Sequence, residues 1–504
     1  FHTYPHYGGY WLPYVGGWGA LSLYDASLMC WSGWDRQRLA WEAQGNQYNP
    51  AARNASNTAE VNGDLDATES SHAGIYYLRD FVTTGDALRI KLPNLDPDND
   101  YQQWLWIENH NGIDENSNAF DKFQWEENYL CVEGVVPGLY MYVQIDKDTR
   151  EGTSTEVNSG KADFLRPVTA DGFFDRVFTE EIQNQCVNNQ LYRPFSLLPE
   201  FENPLTGGGD QELYALDIDN DSEIDSDENI MNFIQKDGNN YSHDLFSLGH
   251  SRHAFTLTGN NKIGIGTNPT ASNMMSLYSH NAPAPSLKEN VRKIYLNGVS
   301  VEIINQDSNN DIQVRVRFDD VDVIDDRRWC ADSIVLSPPP HSATYSLNVT
   351  DTATIKLDWS KNATRISNPY VYEDDTLFSS PTMFVGIAES VLHIDTSSTM
   401  ELLNISTLQL QDDATLQIEP GAQLIIREGS NFIARAGSET IIKGNGKIIA
   451  EAGAYICIED GAIVNLQDAS SSIVLNDGFM EGVNPYIDVF QATNCSDICE
   501  FVPS

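Results

Sequence analysis

The chain has 504 residues, 41% of them hydrophobic, and carries a formal net charge of −43 from 73 acidic and 30 basic side chains. Such a length exceeds one ordinary domain and predicts about two to four. The negative charge repels phosphate backbones and excludes nucleic acid as a partner, and no apolar run approaches the length of a membrane span.

The start at Phe1, without an initiator Met or a visible signal peptide, implies processing or an incomplete N-terminus. Residues 1–45 are dense in aromatics and glycine. Ser32 with Asp35 forms a capping box, which predicts a short helix through Trp41 with Trp34 and Trp41 on one face. Residues 46–75 are rich in Asn, Asp, Ser and Ala and read as a surface loop. Strand patterns follow at Ile75–Leu78, Ala87–Leu92, Gln103–Glu108 and Gly138–Val143. Residues 150–290 read as polar loops and short helices, closing a first region over 1–290.

Residues 291–340 read as a small β-sandwich-like module with strands at Ser300–Ile304, Ile312–Phe318 and Ser333–Leu336. The run Pro338-Pro339-Pro340 is a stiff stop, and 341–390 reads as a linker or β segment. Glycine then recurs every eight residues at 421, 429, 437, 453 and 461, with Ala469 continuing the beat. Short β-branched runs lie between these turns, such as Gln423–Ile426 and Lys447–Ile449. That pattern predicts a β-solenoid over 391–480, in which each rung buries its inward residues against its neighbours. Residues 481–504 are the expected cap. The expected fold class is mainly β with some α.

The clearest ligand signal is the acidic run over 217–228. Asp217, Asp219, Asp221, Asp225 and Glu228 place oxygens at the first, third, fifth, ninth and twelfth positions, with Glu223 between them, the spacing of a twelve-residue calcium loop. Ser222 stands where such loops normally have glycine, and Asn229–Ile234 is expected as an exiting helix. The seven cysteines form no C-x-x-C pair; Cys495 and Cys499 are close enough in sequence to bridge in an oxidising compartment. No His-Glu-x-x-His, serine elbow or phosphate-binding glycine loop occurs.

Several short motifs in residues 1 to about 275 occur in a family order: Phe1-His2, Trp18-Gly19-Ala20-Leu21, Gly33-Trp34-Asp35-Arg36 through Trp41, Gly85–Ile90, Leu105–Asn109, Gly138–Tyr142, His253-Ala254-Phe255 and Gly266–Pro269. Read together, this region resembles the secreted immune-inhibitor-A-like zinc metallopeptidases of bacteria. The resemblance implies an α+β peptidase-like head in which His2 is a zinc ligand arriving from a loop. The zinc helix itself is missing, and a Met-turn methionine is replaced by Ala20 or Leu21. Without two helical His and a Glu, Zn²⁺ is held only with an upstream segment, and this chain alone is expected to be inactive.

Two functions follow as expectations. In one, the chain is part of a secreted or cell-surface metallopeptidase, stabilised by Ca²⁺ and held to an N-terminal fragment of its own precursor. In the other, it is a non-catalytic extracellular structural protein on a degenerate peptidase scaffold. Its solenoid would then mediate self-assembly or contact cell-surface partners.

Overall fold

The computed structural model describes residues 32–38, 48–93, 102–111, 136–146, 164–168, 254–264, 298–329, 333–336, 345–358, 382–385, 389–403 and 406–482, with shorter pieces between them. The described chain is mainly β, as the sequence pattern predicts, and ends in a β-solenoid.

The first region is built on two sheets. It opens with helix α1 (Gly33–Arg38), then β1 (Ala51–Asn54), β2 (Glu60–Asn62), β3 (Asp64–Asp66), β4 (Gly74–Leu78), helix α2 (Phe81–Thr84), β5 (Ala87–Lys91) and β6 (Gln102–His110). One sheet has the order Lys262–Ile263, Gly298–Gln306, Ile312–Asp320, β4, β1, β2. The other runs Phe164–Val168, Gly138–Asp146, β6, β5, β3, antiparallel except for the β3–β5 pair. Leu78, Val301 and Val314 from the first sheet share one buried core with Ile90, Leu105 and Met141 from the second. The two sheets are therefore the layers of a sandwich.

Strand β6 is buried along nearly its whole length. Leu105 and Ile107 face the sandwich core. Trp106 joins Trp34, Tyr48, Phe81, Tyr140 and Tyr142 in a second cluster under the helices. A strand covered on both faces loses the usual polar alternation, and here the apolar run Trp104–Ile107 is flanked by polar residues that are themselves buried, Gln103 on one side and Glu108, Asn109 and His110 on the other.

The sheet pairing departs from the sequence expectation in four places. Residues 46–75 hold β1, β2 and β3 rather than a loop; Ala52, Leu65 and Ala67, with Val61 partly buried beside them, are what these strands give the sandwich core, too few apolar residues to register as strands. Gly298–Gln306 and Ile312–Asp320 do not begin a separate module over 291–340. Their alternating faces (Val299, Val301, Ile303; Ile312, Val314, Val316) complete the sandwich, with Val314 opposite Tyr76 of β4. The segment Asn232–Asp237 is a strand, not a helix, pairing Phe233 with Leu213 in Asp210–Ala215. Finally, solenoid pairing starts at Asp322–Val323 instead of 391, and Ser333–Leu336 is one of its strands.

The solenoid consists of three six-stranded parallel sheets, each coil giving one strand to each sheet. Gln423 pairs with Lys447, so one coil takes twenty-four residues, eight per side. Inward residues such as Leu392, Leu416, Leu424, Ile448 and Ile456 form one continuous core. At most of the described corners a left-handed residue closes the turn: Glu389, Ser397, Asp413, Gly421, Gly429, Gly437, Gly453, Gly461 and Asp477 all have positive φ. The glycine beat is thus part of a longer series whose other members are polar residues, Asp foremost among those that tolerate this region. Ala469 does not take the left-handed conformation. Its corner holds one extra residue, so that Lys447 pairs with Ser472, and Asp468 Oδ1 accepts from Ser470 and Ser471 instead.

A small residue follows each left-handed position and points into the corner. Ser398, Ala414, Ala422, Ser430, Ser438, Ala454 and Ala462 are all buried. Each returns its N–H to the carbonyl three residues back, as Ala422 does to Glu419 at 3.0 Å. That bond closes each of these corners within its own backbone.

Candidate functional site

The densest polar chemistry among the described residues lies where α1 meets β6. Both Glu108 and His110 are fully buried, two residues apart on the face of β6 that also carries Trp106. Glu108 Oε1 accepts from Gly33 N, the first residue of α1, at 2.6 Å. Its other oxygen lies 3.0 Å from His110 Nε2. The imidazole is then walled by Phe81, with ring centroids 5.4 Å apart, and by Tyr140 at 5.2 Å. One carboxylate thus anchors the helix and a buried histidine together, satisfying charge and donors in a site water does not reach.

Helix α2 is positioned by its own cap. Asp80 Oδ2 accepts from Thr83 N at 2.9 Å, and its Oδ1 accepts from Asn111 N at 3.1 Å. Arg36 of α1 stacks its guanidinium 4.1 Å over the Phe81 ring. Arg79 binds Asp86 through two 2.8 Å hydrogen bonds. Asn109 donates to Leu78 O at 3.0 Å and to Asn310 O at 2.8 Å, tying β6 to the turn after Gln306. In that turn the Asp311 carboxyl is pushed up to about 6, by burial first and then by the charge of Asp307.

An open cleft of about 760 Å³ runs between α1, α2 and the β1–β2 hairpin, lined by Arg36, Tyr48, Glu60, Asn62, Thr83 and Asp86. Its mixed charges suit a polar ligand. Asp86 is engaged by Arg79 and Tyr48 Oη donates to Gly85 O at 2.9 Å, so these two rim groups serve the fold. No group of three His, Cys, Asp or Glu side chains among the described residues is placed to hold a metal ion.

His2, the acidic residues Asp217, Asp219, Asp221, Glu223, Asp225 and Glu228, and Cys495 with Cys499 lie outside the described residues. The strands flanking the acidic run are described, and Tyr214 faces Asn232 across them. The motif pieces from the first region do converge. Gly33 bonds Glu108, Gly85 and Asp86 adjoin Tyr48 and Arg79, and Leu139 bridges Phe255 in antiparallel fashion. The buried Glu108–His110 pair was not singled out as a unit from sequence. Its available signal is two ionisable residues at period two directly after the apolar run Trp104–Ile107. Compared with known proteins, the chain matches no family model, no curated protein and no solved structure.

Proposed function

We propose that this is an extracellular or cell-surface structural protein, in which a β-sandwich head is carried on a β-solenoid that serves as a stiff stalk. The observation that carries the reading is Cys457, which is disulfide-bonded in the wall of the solenoid. Structural disulfides persist in oxidising compartments and are rare in reducing ones. The acidic balance of the chain fits a calcium-rich exterior, where the 217–228 run binds Ca²⁺ and relieves its own repulsion. Surface labelling of intact source cells with a membrane-impermeant amine reagent tests the location. Labelling without lysis is the expected result; labelling only after lysis overturns it.

A second reading, descent of the head from an immune-inhibitor-A-like zinc metallopeptidase, is favoured by the convergence of Gly33, Asp86, Glu108, Leu139 and Phe255 around one sheet. Under it His2 and an N-terminal fragment of the precursor complete a Zn²⁺ site. Zinc analysis and peptide mapping of native material decide it, since the reading requires a co-purifying segment with His-Glu-x-x-His.

A further inference from the structure

Cys457 and Ile433 occupy adjacent strands of the solenoid, Tyr455–Ile458 and Asn431–Ala434, and pair directly in register. Their neighbours Phe432, Ala434, Ile456 and Ile458 point inward to the core, so both side chains stand on the outer face of the sheet. Yet Ile433 is only 2% exposed and Cys457 is 0% exposed. The equivalent outward isoleucines of the other two sheets, Ile425, Ile449 and Ile441, remain half-buried. This outer face is therefore covered at Ile433 and Cys457, while Phe479, stacked on Tyr455 beside them, stays 60% exposed.

We propose that the covering segment is residues 483–504 of this chain, fastened by a disulfide from Cys457 to one of Cys495 and Cys499. Phe479–Gly482 is the last described strand of that same sheet and the direct partner of Tyr455–Ile458. Thirteen further residues reach Cys495, a span of up to ~43 Å when extended, against a strand spacing of ~4.8 Å. Trp329, the residue before Cys330 in sequence, lies in the first coil, four strand spacings or ~19 Å down the stack from the coil of Cys457, whereas a disulfide bridges at most ~7 Å between Cα atoms. Cys30, Cys131 and Cys186 precede the solenoid altogether. The bond forms by loss of two protons and two electrons from the thiol pair to an external disulfide oxidant, which is reduced to two thiols. This pairing replaces the Cys495–Cys499 bridge that their spacing suggests.

Non-reducing peptide mapping tests the assignment. No Lys or Arg follows Lys447, so trypsin leaves all three cysteines in one peptide. A glutamyl protease cutting after Glu451, Glu459 and Glu481 separates Cys457 from the tail pair, and cleavage after Asp497 separates Cys495 from Cys499. The expected product is the 452–459 peptide linked to one tail cysteine, disappearing on reduction. A Cys495–Cys499 link, or a link from Cys457 to any of the other four cysteines, overturns the tail assignment. The latter outcome leaves the extracellular reading standing, whereas a free Cys457 thiol removes the support for both. In the Cys457→Ser protein, cleavage after Glu481 under native conditions is expected to rise at least tenfold; an unchanged rate shows that the tail is not fastened there.

Discussion

Arg427 and Glu451 stand one coil apart at a corner of the solenoid and meet at 2.5 Å through Nη1 and Oε1. The other two corners repeat the relation between the same two coils, with Arg435 and Glu459 at 2.5 Å and Lys443 and Glu419 at 2.8 Å. Each corner thus carries one inter-coil ion pair at one level of the stack. Half-exposed pairs of this kind contribute about 0–1 kcal/mol apiece, so their larger effect is on register. A slip by one strand would break all three at once.

Glu419 gives the ladder a measurable pH dependence. Burial alone raises its carboxyl, but hydrogen bonds from Lys443, Gln417 and His393 outweigh that and hold it below the usual value of 4.5. A carboxyl lowered in the folded state stabilises fully above its unfolded value and loses that contribution as the pH falls through the folded one. Glu419→Gln is therefore expected to lower the Tm at pH 7, with the difference from the parent narrowing as the pH drops below 4.5. Thermal unfolding across pH 3 to 8 checks it; a constant difference refutes it.

Gly63 lies between β2 and β3, where the chain steps from one sheet of the sandwich to the other. A Cβ there would sit 2.2 Å from Ala87 O and 2.9 Å from Ala51 N. Both are backbone atoms of paired strands, and Gly63 itself bonds Pro50 O and Arg89 N. Nothing nearby can yield cheaply. Gly63→Ala is expected to cost at least ~3 kcal/mol, at the upper end of overpacking effects. Chemical denaturation giving a loss below 1 kcal/mol would show that the crossing is looser than these distances.

The solenoid was legible because its constraint is local and repeated. An eight-residue side needs one left-handed corner, and glycine marks most of those corners. Its first two coils, from Asp322 to Val385, are not legible because left-handed Asp351 and Thr352 lack glycine's signature and Tyr345 pairs with Ser390, forty-five residues on rather than twenty-four. Strands Gly138–Asp146 and Ile312–Asp320 were readable from alternation, but their partners were not. Sequence pattern says which residues face a core, not that Val314 will sit opposite Tyr76 more than two hundred residues away. The Glu108–His110 pair stayed hidden for the same reason: only the packing of α1 on β6 makes that carboxylate buried and shared.

That sharing makes Glu108 the most sensitive polar side chain of the head. Glu108→Ala strips Gly33 N and His110 Nε2 of one acceptor each inside a closed aromatic cluster. Leaving buried partners uncompensated costs about 3–5 kcal/mol. Glu108→Gln keeps an oxygen for Gly33 and an amide for His110, so about half that loss or less is expected. Near-ultraviolet circular dichroism reports the packing of Trp34 and Trp106 directly. A Glu108→Ala protein with unchanged spectrum and Tm would mean that α1 is held by its aromatic face alone.

Asp311 works in the opposite pH sense to Glu419. Its carboxyl is pushed up to about 6 by burial, with Asp307, Asp86 and Asp80 adding repulsion and Arg79 offsetting part of it. Because the folded value lies above the ordinary 3.8, the folded state binds the proton more tightly. Stability is fully retained below the unfolded value and falls as the pH rises through the folded one. The carboxyl is only partly buried, so solvent screening reduces the effect to about 1 kcal/mol. Asp311→Asn keeps the backbone N–H that Asp307 Oδ1 accepts at 3.0 Å and removes the charge. The variant is expected to match the parent near pH 4 and to exceed its stability by that amount at pH 8. Paired denaturation curves at the two pH values decide the matter, and a gain of equal size at both would place the cause in packing rather than in ionisation.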